Sequence, residues 1–138
     1  MRAEPSLADG LAFLERHIDL EATASIAAGH VEGLSLEPVR QLMTLLGDPQ
    51  CDMPFVHLTG TNGKGSTAML VSRLLQAHGL SVGTYSSPHV SQINERFRHD
   101  GEPISDDDLA EVLAVVELAT TQLPEPMRFF ELLTAAAY

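Results

Sequence analysis

The 138 residues, 44% apolar and 20% charged, make up about one domain of a globular protein, long enough to enclose a core and too apolar to be a disordered tail. The net charge of −11 argues against a basic nucleic-acid or membrane-surface binder, and no run approaches the roughly 18 to 20 apolar residues of a membrane helix. One cysteine, Cys51, excludes an internal disulfide and any Cys-x-x-Cys metal site. "MRAEPSLADG" lacks the apolar core of a signal peptide, so a cytoplasmic location is the expectation. A small anionic ligand stays open, because it needs only a local nest of amides and a cation.

In chain order, "SLADGLAFLERHI" (6–18) predicts a helix capped by Ser6, with Leu7, Leu11, Leu14 and Ile18 on its inner face. "DLEATASIAAGHVEG" loses that rhythm and reads as a loop or frayed helix. A second helix is expected from Ser35, with Leu36, Val39, Leu42, Met43 and Leu46 inward, Pro38 in its first turn, and Gly47 and Pro49 ending it. "MPFVHL" (53–58) is a short strand candidate, in which His57 alternates with Phe55 and Thr59 and is expected to pack. "STAMLVSRLLQAHG" (66–79) predicts a helix with Met69, Leu70, Leu74 and Leu75 inward, and "LSVGTY" (80–85) a second strand. Strand, tight loop, helix and strand within about 30 residues is a βαβ unit, so a parallel sheet is expected. A strand near Ile93–Arg98, a turn at Asp100-Gly101, and a helix after Ser105 carrying Leu109, Val112, Leu113 and Val116 follow. The three aspartates at that helix start are expected to complement its dipole rather than bind metal. "RFFELLTAAAY" is a last helical run without a stop signal, and with so few strands it suggests the front part of a longer protein.

The chemistry concentrates in "HLTGTNGKGSTAML" (57–70). The ordinary phosphate loop is GxxxxGK[ST]. Taking Gly63-Lys64 as its GK pair would put the first glycine at Leu58, but glycine comes at Gly60, and Gly65 delays the hydroxyl to Ser66. The physics survives the altered spacing. Amides of a glycine turn can converge on phosphate, the following helix adds partial positive charge, and Lys64 adds a full one. A flexible turn would explain the glycines but not the lysine and hydroxyls at the head of a helix.

"TGTNGKGST", reached from "VHL" and followed by Leu74-Leu75 and Gly79, resembles the signature of the folylpolyglutamate synthase family, which includes dihydrofolate synthases and belongs to the Mur ligase superfamily. Gly65 favours the folate branch over the Mur peptide ligases. "GLSLEPVRQLMTLLGDP", "GTYSSPHVSQINERFRHDGEPIS" and "FFELLTAAAY" are similar to further family segments, in order.

The resemblance implies an α/β, P-loop mononucleotide-binding fold with a mainly parallel sheet, here an incomplete N-terminal portion of a Mur-ligase-like ATPase domain. Residues 1–52 would be a helical leader and 53–138 the front of the ATP-binding domain, with the C-terminal glutamate-binding domain absent. It implies ATP-dependent ligation of L-glutamate to dihydropteroate or folates through an acyl phosphate, by a cytoplasmic enzyme that is a monomer at full length and binds neither nucleic acid nor membrane. Gly60, Thr61, Asn62, Gly63, Lys64, Gly65 and Ser66 would hold ATP, with Lys64 also catalytic. Ser87 and Ser66 would be ligands of Mg²⁺. Val31, Glu32, Gly33 and Leu34, with Arg128, Phe129, Phe130 and Glu131, would touch the pterin. His89 carries no implied role, and an orienting hydrogen bond is expected of it. The alternatives are another Mur-type amide ligase, or a non-catalytic nucleotide-binding remnant.

Overall fold

The computed structural model describes residues 4–17 and 35–138. The fold is α/β with a small sheet. Five helices are described: α1 (Leu7–Glu15), α2 (Glu37–Leu45), α3 (Lys64–Ala77), α4 (Asp106–Thr120) and α5 (Phe129–Ala136). The strands are β1 (Gly83–Tyr85), β2 (Phe97–His99) and β3 (Glu102–Pro103), and 3₁₀ turns occupy Pro49–Cys51 and Ile93–Arg96. The chain forms two compact units, one of Met1–Met53 with Asp107–Tyr138 and the other of Pro54–Asp106. No described helix is long and apolar enough to cross a membrane.

The first unit is helical. Ser6 caps α1 by accepting from the Asp9 amide at 3.2 Å, as its sequence position predicts. The buried face of α1 is Gly10, Phe13 and Leu14, whereas Leu7 and Leu11 are only half-buried. Ile18 lies outside the described residues, as does the 19–33 stretch expected to be a loop or frayed helix. α2 starts at Glu37 behind the Ser35 hydroxyl, which accepts the Glu37 amide at 3.1 Å. It buries Leu42 and Met43 and leaves Leu36 exposed. α4 buries Leu109, Leu113 and Val116 as expected, and α5 adds Leu132 and Leu133. An ion pair joins Arg16 to Glu117 at 2.6 Å, but both side chains are largely in water, so it contributes little. The core sets α1 hard against α4 at Gly10, where an added Cβ would stand 2.8 Å from Leu113 Cδ1 and 3.2 Å from its Cβ. Leu113 is fully buried and has nowhere to retreat. Gly10→Val is therefore expected to cost about 1–3 kcal/mol by overpacking, read as a lower urea midpoint at unchanged slope.

The second unit places the candidate site, and here two expectations fail. The sheet among the described residues is antiparallel throughout, in the order β1-β2-β3, with Tyr85 opposite Phe97 and His99 opposite Glu102. Residues 54–59 enter no ladder, so the expected parallel pairing of 53–58 with the second strand is absent. Asp100-Gly101, with φ of 50° and 90°, turns β2 back on itself as β3, and the Asp100 carboxylate accepts the Val82 amide at 2.7 Å, which ties the turn to the chain entering β1. A hairpin beside β1 closes over a short loop, whereas a parallel partner needs a crossover.

The second failure is α3. It begins two residues earlier than predicted and buries Ser72, while Leu70 and Leu74, expected inward, are 64% and 63% exposed. Phe55 and Val56 are exposed too, and so is His57, against the packing expected of it. The stop signal of α3 holds: the Leu80 amide donates to the Leu75 carbonyl at 3.2 Å and the Gly79 amide to Gln76 at 2.8 Å, a Schellman ending. The small core of this unit is Ile93 and Phe97, with Tyr85 stacked on Phe97 at 5.4 Å.

Candidate functional site

The extended stretch 54–59 delivers the chain to Gly60, and the loop turns into α3 at Gly63, which has φ of 77° and serves as the N-cap. Gly60 has φ of 151°. Both conformations are strained for a residue with a Cβ, which explains the two glycines physically. The first helical bond runs from the Thr67 amide to the Gly63 carbonyl at 2.9 Å, and the Thr67 hydroxyl donates to the same oxygen. The amides of Lys64, Gly65 and Ser66 stand ahead of that bond, as at any helix start, with the positive end of the dipole behind them. The Lys64 ammonium folds back over the loop and donates to the Gly60 carbonyl at 2.5 Å. Every residue from Gly60 to Ser66 is exposed. An exposed cation and three amides ahead of the first helical bond, on an open loop, suit a polyanion arriving from solvent.

Ser87 follows β1 and is exposed, and the Ser87–Pro88 peptide bond is cis. The loop it opens is tied to the 3₁₀ turn Ile93–Arg96. The Ser86 amide donates to the Arg96 carbonyl at 2.9 Å. Arg96, which is buried, donates its Nε–H to His89 Nδ1 at 2.8 Å, the orienting bond expected of that histidine. An accepting Nδ1 puts the hydrogen of a neutral ring on Nε2. Glu95 takes three amides: Val90 on Oε2 at 2.8 Å, and Ser91 and Gln92 on Oε1 at 3.2 and 3.1 Å.

Those amides, Val90 first and Gln92 next, hold the Glu95 carboxyl below its ordinary value, with desolvation opposing them. A lowered carboxyl favours the folded state above the ordinary glutamate range, and that contribution is lost as the pH falls through the lowered pKa. The sequence reading passed over Glu95. Its signal was local, a glutamate three residues after the polar Gln92, the spacing of a capping box.

The remaining predicted residues divide as follows. Arg128 caps α5 in the first unit, with its amide donating to Glu131 Oε2 at 2.8 Å, so that carboxylate serves the helix start. Phe129 is half-buried and Phe130 is 44% exposed. Val31, Glu32, Gly33 and Leu34 lie outside the described residues. A shallow hollow of about 390 Å³ in the first unit, between α2 and Gln122–Leu123, is lined by none of the predicted site residues.

Mg²⁺ takes oxygen ligands and favours carboxylates and phosphates. Ser66 and Ser87 offer neutral hydroxyls, and among the described residues no three His, Cys, Asp or Glu group together as a metal site. This donor set does not make a protein cage. It fits an ion that brings its own phosphate ligands.

No protein-family model matches the chain. It is 41% identical over 107 residues to the folylpolyglutamate synthase of Lacticaseibacillus casei, covering 72% of this chain and 25% of that protein. It is 38% identical over 105 residues to the dihydrofolate synthase/folylpolyglutamate synthase of Bacillus subtilis, covering 72% and 24%. The solved folylpolyglutamate synthetase of Lactobacillus casei superposes with a TM-score of 0.81 at 33% identity, over 96% of this chain and 32% of that one. The chain belongs to the folylpolyglutamate synthase/dihydrofolate synthase family. A folylpolyglutamate synthase solved in complex with AMPPCP and folate superposes with a TM-score of 0.79 at 33% identity, over 96% and 31% of the two chains. The chain thus spans about a quarter of the length of the curated family members it matches.

Proposed function

We propose that this chain carries the nucleotide-phosphate half of an ATP-dependent ligase that joins L-glutamate to dihydropteroate or folates. The observation that carries the reading is the loop 60–66: two glycines with positive φ, three amides ahead of the first bond of α3, and the Lys64 ammonium bonded back to the Gly60 carbonyl. Membership in a family whose solved structures include a complex with AMPPCP and folate supports it.

In this reading Gly60, Thr61, Asn62, Gly63, Gly65 and Ser66 seat the phosphates and Lys64 spans the terminal two. The γ-phosphate passes to the substrate carboxylate, and the α-amine of glutamate then displaces phosphate from the acyl phosphate. The protein's task is placement and charge stabilisation, so no side-chain nucleophile is needed. The Ser87 and Ser66 hydroxyls would be the protein's neutral donors to a nucleotide-borne Mg²⁺, which would supply charge neutralisation at the phosphates. Residues 31–34 and Arg128–Glu131, with Phe130 as a platform, belong to the pterin in the same reading. The same reading includes a P-loop arrangement, a 1–52 leader ahead of a 53–138 nucleotide domain, a cytoplasmic monomer, and no nucleic-acid or membrane partner.

The chain 64–87 is consistent with Lys64 and Ser87 serving one ligand. α3 packs against β1, and the turn at Gly79 sends the chain back after a helix about 21 Å long. The test is calorimetric titration of the chain with AMPPCP across a series of Mg²⁺ concentrations. Ser87→Ala is expected to raise the Mg²⁺ needed for half-maximal binding while leaving the thermal midpoint unchanged, since an exposed loop hydroxyl contributes little to packing. Superimposable Mg²⁺ curves for variant and parent would reject the ligand role, and a parent that binds no AMPPCP would reject the function.

A further inference from the structure

We propose that Glu95 is a positioning residue of this site: it holds the 87–92 loop by its backbone and so sets where the Ser87 hydroxyl stands. The inference rests on the reading of Ser87 as a ligand of nucleotide-borne Mg²⁺. Packing cannot hold that loop. Ser87, Pro88, Ser91 and Gln92 are exposed, and the Val90 side chain is 95% exposed. The loop's fixed points are polar, and they converge on two successive residues. Its start is tied by the Ser86 amide to the Arg96 carbonyl, its middle by His89 to Arg96 Nε, and its end by three amides to Glu95.

The 3₁₀ turn that carries both residues is itself anchored. Ile93 and Asn94 are buried, and Asn94 Nδ2 donates to the Ile104 carbonyl at 3.1 Å and to Asp106 Oδ1 at 3.0 Å. The loop is therefore referenced to a fixed support through Glu95 and Arg96.

A purely structural role would be to cap the turn. Capping requires only the Gln92 amide, since Gln92 is the N-cap. The Val90 and Ser91 amides precede the turn and belong to the loop, so Glu95 makes two bonds that capping does not need. The geometry also explains the residue type. A carboxylate accepts on both oxygens, and bonds to a charged acceptor are stronger than neutral ones. Glutamine has one accepting oxygen, so an NH₂ group would face the Val90 amide or the Ser91–Gln92 pair. Aspartate keeps the charge but is one methylene shorter.

The experiment compares parent, Glu95→Gln, Ser87→Ala and the double variant, each folded as judged by circular dichroism. Two quantities are read: amide exchange at Val90, Ser91 and Gln92, and the Mn²⁺ concentration that half-saturates AMPPCP binding. Glu95→Gln is expected to speed exchange at the three amides and raise the Mn²⁺ requirement roughly tenfold, the scale of losing a residue that orients a metal ligand. Metal-free AMPPCP affinity should not move. The double variant should be no worse than Ser87→Ala alone, because both changes act through one hydroxyl. If Glu95→Gln does not fold, Glu95→Asp carries the same comparison. Faster exchange with an unchanged Mn²⁺ requirement, beside a Ser87→Ala variant that does shift it, overturns the positioning role and leaves the function standing. A parent that binds no AMPPCP overturns both.

Discussion

Lys64→Ala is expected to weaken AMPPCP binding by roughly ten- to a hundredfold, ADP binding by less, and AMP binding not at all. A hydrogen bond to a charged group contributes about 1.5–3 kcal/mol, and each 1.4 kcal/mol is a factor of ten in affinity. The gradient across the three nucleotides follows from where the ammonium sits. Lys64 opens α3, and its Nζ lies back over Gly60, on the loop side of the helix start and ahead of the amides of residues 64–66. In the function proposed above it meets the outer phosphates, not the one next to the ribose. The fold should not suffer, because Lys64 is exposed and its ammonium bonds a loop carbonyl rather than anything in the core. Where glutamate ligation itself is followed, the loss should fall on turnover, by about 3 kcal/mol or more, as for other donors that stabilise transferring charge. Calorimetry with the three nucleotides checks the first claim. An equal loss for AMP would place the lysine elsewhere on the ligand.

The second large effect is an all-or-none one. Incubated with ATP, Mg²⁺, L-glutamate and dihydropteroate, the 138 residues are expected to bind nucleotide yet form no dihydrofolate detectable by mass spectrometry. Ligation needs a metal held against both phosphate and carboxylate, an amine delivered in line, and water kept out. The described residues offer the metal two hydroxyls and no acidic cluster. The loop that would hold the phosphates is open along its whole length. The family members that carry the ligase name are about three times as long as this chain. Product appearing at about one turnover per second or faster, an ordinary enzyme rate, would show that this segment suffices.

Much of the local structure was legible because its causes are local. Ser6 as a cap, Gly79 as a helix stop and Asp100-Gly101 as a turn each need only a few neighbouring residues to be correct. The α4 face was legible for a similar reason, since Leu109, Leu113 and Val116 repeat at helical spacing against one core. What failed depended on distant partners. Leu70 and Leu74 sit on a helix whose exposed side the sequence could not identify. Residues 53–58 have strand composition, but composition does not name the neighbour that would pair with them. On α1 the inner face rotated toward Phe13, because Gly10 lets Leu113 approach and periodicity alone does not register that close contact. In the candidate site the loop was legible from glycine, lysine and hydroxyl in a row. Glu95 offered only its capping-box spacing after Gln92, and its bonds to the Val90 and Ser91 amides depend on backbone direction that this spacing does not fix.

The first unit is built from two stretches of chain with the whole second unit between them. Its ties cross that gap: Arg16 meets Glu117 at a separation of 101 residues, and Gly10 meets Leu113. The second unit closes through short-range contacts, chiefly a hairpin and a helix ending. Closing a long flexible ring costs entropy before any burial rewards it, and the cost grows with the logarithm of the ring's length. Once Pro54–Asp106 has condensed, the effective ring is far shorter and the two halves of the helical core meet more cheaply. Condensation of Pro54–Asp106 therefore lowers the entropic barrier to assembling the helical unit whose two stretches flank it in the chain.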